Sequence, residues 1–123
     1  MKLRRAVTLL VLVSALALSA YAADISGTWT ATFNTQVGEQ NYTYTFKVDG
    51  EKLTGTAKSA NGTSEIENGV VKGDDVSFVE NLDYQGQKLV ITYTGKISGD
   101  EIKFTRDVAG AAKEDLVAKR VKP

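Results

Sequence analysis

One pattern of apolar and polar positions occurs three times in this chain. Tyr44 to Ala57, Glu67 to Glu80 and Tyr93 to Arg106 superpose, each with a central glycine (Gly50, Gly73, Gly99) followed by an acidic residue (Glu51, Asp74, Asp100). A Gly-x pair between two β-rich runs marks a two-residue hairpin loop, so each copy is expected to be a hairpin. Folding about the loop pairs Val48 with Leu53, Val71 with Val76 and Ile97 with Ile102. The next layer on the same face pairs Phe46 with Gly55, Gly69 with Phe78 and Gly95 with Phe104. A ring can lie across the bare backbone of the glycine opposite, which makes this a packing device. The alternate positions, such as Lys47, Thr54, Lys72, Ser77, Lys96 and Thr105, are mostly polar and face water.

One layer further from the turns the inward face changes character, to Tyr44 with Ala57, Glu67 with Glu80, and Tyr93 with Arg106. Period and register therefore place two carboxylates, a guanidinium and two phenols at one height on the core face.

The rest of the chain supplies the remaining strands. Trp29, Ala31 and Phe33 alternate with threonines in a first strand, and Tyr42, Tyr44, Phe46 and Val48 form the inward set of a second. Further strands are expected at Lys52 to Ser59, Glu65 to Lys72, Asp75 to Asn81, around Leu89, Ile91 and Tyr93, at Glu101 to Arg106, and at Leu116 to Val121. Ile66 and Val70 fall off the core phase, which calls for a bulge or for exposed apolar positions there. Eight strands in simple succession are enough for an up-and-down antiparallel β-barrel. The tight turns at Gly50, Gly73 and Gly99 then share a closed end with Trp29. The connections 34–41, 59–64, 82–87 and 107–115 read as longer loops around a mouth.

The amino terminus changes the picture of where this barrel works. Lys2, Arg4 and Arg5 precede an apolar run from Ala6 to about Leu18 and then Ala20-Tyr21-Ala22, a small-x-small site. This is the layout of a secretory signal peptide, with an apolar stretch short for a membrane span. Residues 1–22 are thus expected to be removed and 23–123 to form a single barrel domain, secreted or periplasmic. Cleavage takes away three basic side chains and leaves 12 basic against 15 acidic ones, a net charge of −3. A mildly acidic surface without a basic run argues against nucleic acid or anionic membrane as a partner, and a monomer is expected. With no Cys and no His, thiol chemistry, imidazole bases and ordinary zinc or copper sites are excluded. No metal and no cofactor are expected.

Gly27-Thr28-Trp29 at the first strand, with Arg120 placed in the last strand to cover the indole, resembles the calycin superfamily of lipocalins, fatty-acid-binding proteins and avidins, and Ser26-Gly-Thr-Trp29 followed by Lys52-Leu-Thr-Gly-Thr-Ala57 looks most like the avidins among them. The resemblance implies a barrel that binds a small molecule at its open end. An avidin-type biotin site is walled by several tryptophans, and this chain has only Trp29. The chain also looks like short exported single-domain bacterial proteins, some labelled glycoside hydrolases, which adds sugars to the ligands to consider.

Three readings of the polar layer stay open at this point. In the first, Tyr42, Tyr44, Glu67, Glu80, Tyr93, Arg106 and Tyr84 bind a small polar ligand, sugar-like or an amine, with Asn34, Gln36, Asn61, Asp83 and Gln85 adding contacts at the mouth. In the second, Glu67 and Glu80 are the acid and nucleophile of a retaining glycoside hydrolase, because a cross-strand pair stands at about the 5 Å separation that mechanism needs. In the third, the layer is a self-satisfied network in a barrel without ligand.

Overall fold

A computed structural model describes residues 23–122, so the signal-peptide expectation for residues 1–22 lies outside the described residues. Eight strands follow one another: β1 (Gly27–Thr35), β2 (Gly38–Asp49), β3 (Lys52–Ser59), β4 (Gly62–Lys72), β5 (Asp75–Tyr84), β6 (Gln87–Ser98), β7 (Glu101–Val108) and β8 (Ala112–Arg120). Each pairs antiparallel with the next, and β8 returns to β1 to close the barrel.

At the closed end, Val48↔Leu53, Val71↔Val76 and Ile97↔Ile102 flank the turns in the expected register. Gly50, Gly73 and Gly99 have φ of +64°, +60° and +60°, while the acidic residue after each does not enter the left-handed region. That combination is the type II′ loop, whose twist suits the flanking strands. Phe46 faces Gly55 and Phe104 faces Gly95 across the ladder. A Cβ on Gly95 would come within 2.6 Å of the Phe104 ring, so the ring occupies the space the glycine leaves.

The third repeat pair is different. In β4 an extra residue is inserted at Asn68–Gly69, so that Val70 faces Ser77, Glu67 faces Val79 and Ile66 faces Glu80. Asn68 sits at φ +55°, a left-handed conformation that asparagine tolerates better than most residues. Phe78 therefore lies opposite the bulge and stacks instead on Tyr93, ring centroids 4.4 Å apart. The bulge moves every residue of β4 before it to the other face. Ile66 becomes buried and Glu67 exposed, which is the favourable exchange, since desolvating a carboxylate costs far more than exposing an isoleucine.

The four connections at the other end are also shorter than the sequence suggests. Gln36–Val37, Ala60–Asn61 and Gln85–Gly86 are two-residue loops and Ala109–Ala111 a three-residue one. Gln85 and Gly86 both have positive φ, +52° and +81°, as a type I′ turn requires. The polar stretches expected as loops are largely strand ends that line the mouth, where inward positions such as Gln40 and Glu114 are polar and apolar alternation no longer marks a strand. β8 accordingly begins at Ala112 rather than Leu116.

The interior is filled from the closed end upward. Trp29 is fully buried, donates Nε1–H to Ile25 O at 2.9 Å and is covered by Arg120, its guanidinium carbon 4.5 Å from the ring centroid. Above it Phe46, Phe78 and Phe104 meet the rings of Tyr44 and Tyr93 edge-on or stacked.

Candidate functional site

Strand alternation and register carry six polar or aromatic side chains to the upper interior. Tyr42 and Tyr44 come from β2, Glu80 from β5, Tyr93 from β6, Arg106 from β7 and Glu114 from β8. Tyr93, Arg106 and Glu114 are cross-strand neighbours in one row, Tyr93↔Arg106 and Arg106↔Glu114. Ala57 opposite Tyr44 leaves room for the phenol to reach across the barrel.

Glu80 is fully buried and accepts two phenol hydrogen bonds, from Tyr42 Oη to Oε2 at 2.9 Å and from Tyr93 Oη to Oε1 at 2.9 Å. Tyr93 Oη also accepts from Arg106 Nη1 at 3.0 Å and lies 3.0 Å from Tyr44 Oη. A phenol has one proton to give, so with Tyr93 donating to Glu80, Tyr44 donates to Tyr93. The Tyr93 hydroxyl is the junction through which carboxylate, guanidinium and second phenol communicate.

Arg106 is 4% exposed, and its guanidinium lies 5.0 Å from the ring centroids of both Phe33 and Tyr42 and 5.4 Å from that of Tyr93. Its Nε stands 3.0 Å from Glu114 Oε1, but neither atom is aligned for a hydrogen bond. The contact is an ion pair with unspent hydrogen-bonding capacity on both sides.

Burial dominates the electrostatics. It raises the Glu80 pKa above the ordinary carboxylate value, against the lowering pull of Arg106 and of the two phenol donors. Burial likewise raises Tyr42, Tyr44 and Tyr93, so the phenols stay protonated and act as donors. For Arg106 burial works against the charge, but Tyr93, Tyr42 and Glu80 together outweigh it and hold the guanidinium protonated.

Above this network a mouth cavity of about 180 Å³ opens between the hairpin tips. Tyr42, Arg106 and Glu114 form its inner end; Leu82, Leu89, Ile91 and Val108 are its apolar wall. Gln36, Val37, Gln40, Asn61 and Tyr84 stand around the opening. Glu80 does not line it, because Tyr42 and Tyr93 cover both carboxylate oxygens.

The structure thus gathers Tyr42, Tyr44, Glu80, Tyr93 and Arg106 as the sequence suggests, and puts Tyr84, Gln36 and Asn61 at the mouth. It does not bring Asn34, Asp83 or Gln85 to the cavity. Glu67 is a correction: the bulge turns it to the outer face, where Oε1 accepts from Asn81 Nδ2 at 2.8 Å. The Glu67–Glu80 carboxylate pair does not exist, and the retaining hydrolase reading built on it is withdrawn. The dipeptide Asn68-Gly69 was the available signal, since both residues favour left-handed backbone.

Glu114 is the residue that sequence reasoning missed. It falls inside the stretch expected as a loop, although Glu114, Leu116 and Ala118 keep period-two alternation. Among the described residues no group of three or more Asp or Glu side chains is arranged to hold a metal ion. Comparison of the chain with protein-family models, with curated proteins and with solved structures finds no match in any of the three.

Proposed function

We propose that this protein is an exported, calycin-like barrel that binds one small, neutral, hydroxyl-bearing molecule, sugar-like in its chemistry, in the mouth cavity. The observation that carries this reading is the cavity itself: about 180 Å³ with apolar walls and an inner end made of Tyr42 and the Arg106–Glu114 ion pair. The volume is that of roughly six liquid waters, which suits a single sugar ring or small polyol. An ion pair with spare donors on one partner and spare acceptors on the other matches hydroxyl groups, which both give and accept. The paired charges cancel, so the site favours no net charge on the ligand. The amine reading loses its support, because Glu67 is outside, Glu80 is covered and Glu114 is engaged with Arg106.

The packed interior below Tyr44 and Tyr93 favours a second reading, in which the network is structural and the cavity holds water alone. A thermal-shift titration of the mature protein with monosaccharides and polyols separates the two. The binding reading expects a concentration-dependent rise in Tm, equivalent to about 2.7 kcal/mol at a hundredfold excess over Kd, that is lost in Glu114→Gln. A panel that leaves Tm unmoved at every concentration refutes it.

A further inference from the structure

The barrel closes, but among the described residues its β1–β8 ladder is short. β1 and β8 pair at Trp29↔Arg120 and Thr30↔Lys119 alone, with one further bond in which Val121 N donates to Thr28 O at 2.8 Å. That bond sets the phase of the seam. A residue's N–H and C=O point to one side of its strand, and the side alternates along the chain. Thr28, Thr30, Thr32 and Asn34 therefore aim their backbone groups at β8, and Val121, Lys119, Val117 and Asp115 aim theirs at β1. The closed-end members of both rows are paired; among the described residues, Thr32 and Asn34 on one lip and Val117 and Asp115 on the other have no partner across the seam.

Between these lips runs a cleft of about 880 Å³. Along its depth lie Ala31, Phe33, Phe104 and Leu116, side chains of the barrel core, and its outer margin carries Lys103 and Lys119 against one acid, Asp115. A row of free N–H and C=O groups on a sheet edge is a template for another strand. The local charge selects which strand: the chain without residues 1–22 is net acidic, yet this margin is net basic.

We propose that the β1–β8 seam is a strand-addition site for an extended acidic peptide of about five residues, at ~3.3 Å each, with apolar side chains turned to the core and Asp or Glu turned outward. Its backbone would satisfy the free groups of Thr32, Asn34, Val117 and Asp115, and its carboxylates would meet Lys103 and Lys119. The cleft shares no lining residue with the mouth cavity.

Amide hydrogen exchange on the mature protein tests this, with an acetylated, amidated Val-Glu-Val-Glu-Val peptide as probe and its Val-Lys-Val-Lys-Val counterpart as control. In the free protein the amides of Thr32, Asn34 and Val117 should exchange fast while those of the β5–β6 ladder are protected. The Val-Glu peptide should slow exchange at the four lip residues, and the Val-Lys peptide should not. The Lys103→Glu/Lys119→Glu variant changes only exposed side chains; it should bind the acidic probe about tenfold more weakly and prefer the basic one. Thr32→Pro, which removes a donor on the seam side and none from the β2 ladder, should also weaken binding. The proposal is overturned if the lip amides of the free protein are as protected as those of β5–β6. It also fails if neither peptide slows their exchange, or if both act equally on the wild type. Protection that grows with protein concentration alone would assign the lips to a second copy of this chain, against the peptide.

Discussion

Tyr93 Oη donates to Glu80 Oε1 across 2.9 Å in the middle of the barrel, and the carboxylate it serves is fully buried. Burial outweighs this donor, the Tyr42 donor and the Arg106 charge, and Glu80 holds its proton more tightly folded than unfolded. A group whose pKa is raised by folding contributes stability that is fully present below its unfolded pKa and is lost as pH rises through the folded one. Wild-type stability should therefore fall as pH rises from the ordinary value of 4.5 through the raised pKa of Glu80. Glu80→Gln should lack that fall, so the stability difference between the two proteins should move in favour of the variant across this window. Urea unfolding at a series of pH values measures it; a wild type that gains on Glu80→Gln with rising pH would show that Arg106 and the phenols hold Glu80 ionised.

Removing Arg106 should cost more than removing any one of its partners. Its guanidinium stands between Glu114 and the Tyr93 hydroxyl and against three rings. Arg106→Ala leaves Glu114 without its countercharge and empties the space beneath Phe33. A loss of about 3–5 kcal/mol is expected in chemical unfolding; a loss under about 1 kcal/mol, the surface-pair range, would mean the network relaxes without it.

Gly95 is needed for its lack of a side chain. Because a Cβ there would stand 2.6 Å from Phe104 Cδ1 and 3.0 Å from Lys103 O, Gly95→Val must displace the ring or the ladder. The expected destabilisation is about 1–3 kcal/mol. In Gly95→Val/Phe104→Ala the clash with the ring is gone and the close approach to Lys103 O remains, so the two changes should cost less together than their sum, which a double-mutant cycle reads directly.

Arg120 clamps the chain ahead of β1 over Trp29. Besides lying on the indole, it donates from Nη1 to Ser26 O at 3.2 Å and from Nη2 to Asp24 O at 3.3 Å. Wild-type tryptophan emission should be blue-shifted and resistant to iodide. Arg120→Ala should lose the cation–π contact, worth about 0.5–2 kcal/mol, and admit the quencher. Free quenching of the wild type would refute the burial of Trp29.

The strand alternation and the Gly-acid turns were legible in the sequence because they are local. A period of two and a glycine at a required positive φ leave a mark on neighbouring residues, and those marks predict the hairpins and the closed-end pairs; the strand directions that follow put Trp29 at the closed end with Arg120 beside it. The same alternation placed Tyr42, Tyr44, Glu80, Tyr93 and Arg106 on the inner face. Three things were decided only by the tertiary structure. The bulge at Asn68–Gly69 turned Glu67 outward, because a single inserted residue inverts facing for the whole strand end before it and the choice is made by what the core will accept. The strands ran on through polar stretches into the mouth, because pairing with a neighbour, rather than apolar alternation, holds a strand end whose inward residues are polar; this is how Glu114 reached Arg106. How far β1 and β8 pair beyond Trp29 and Arg120 was not legible along the chain, because these are the first and last strands and the extent of their pairing depends on how the other six carry the curvature between them.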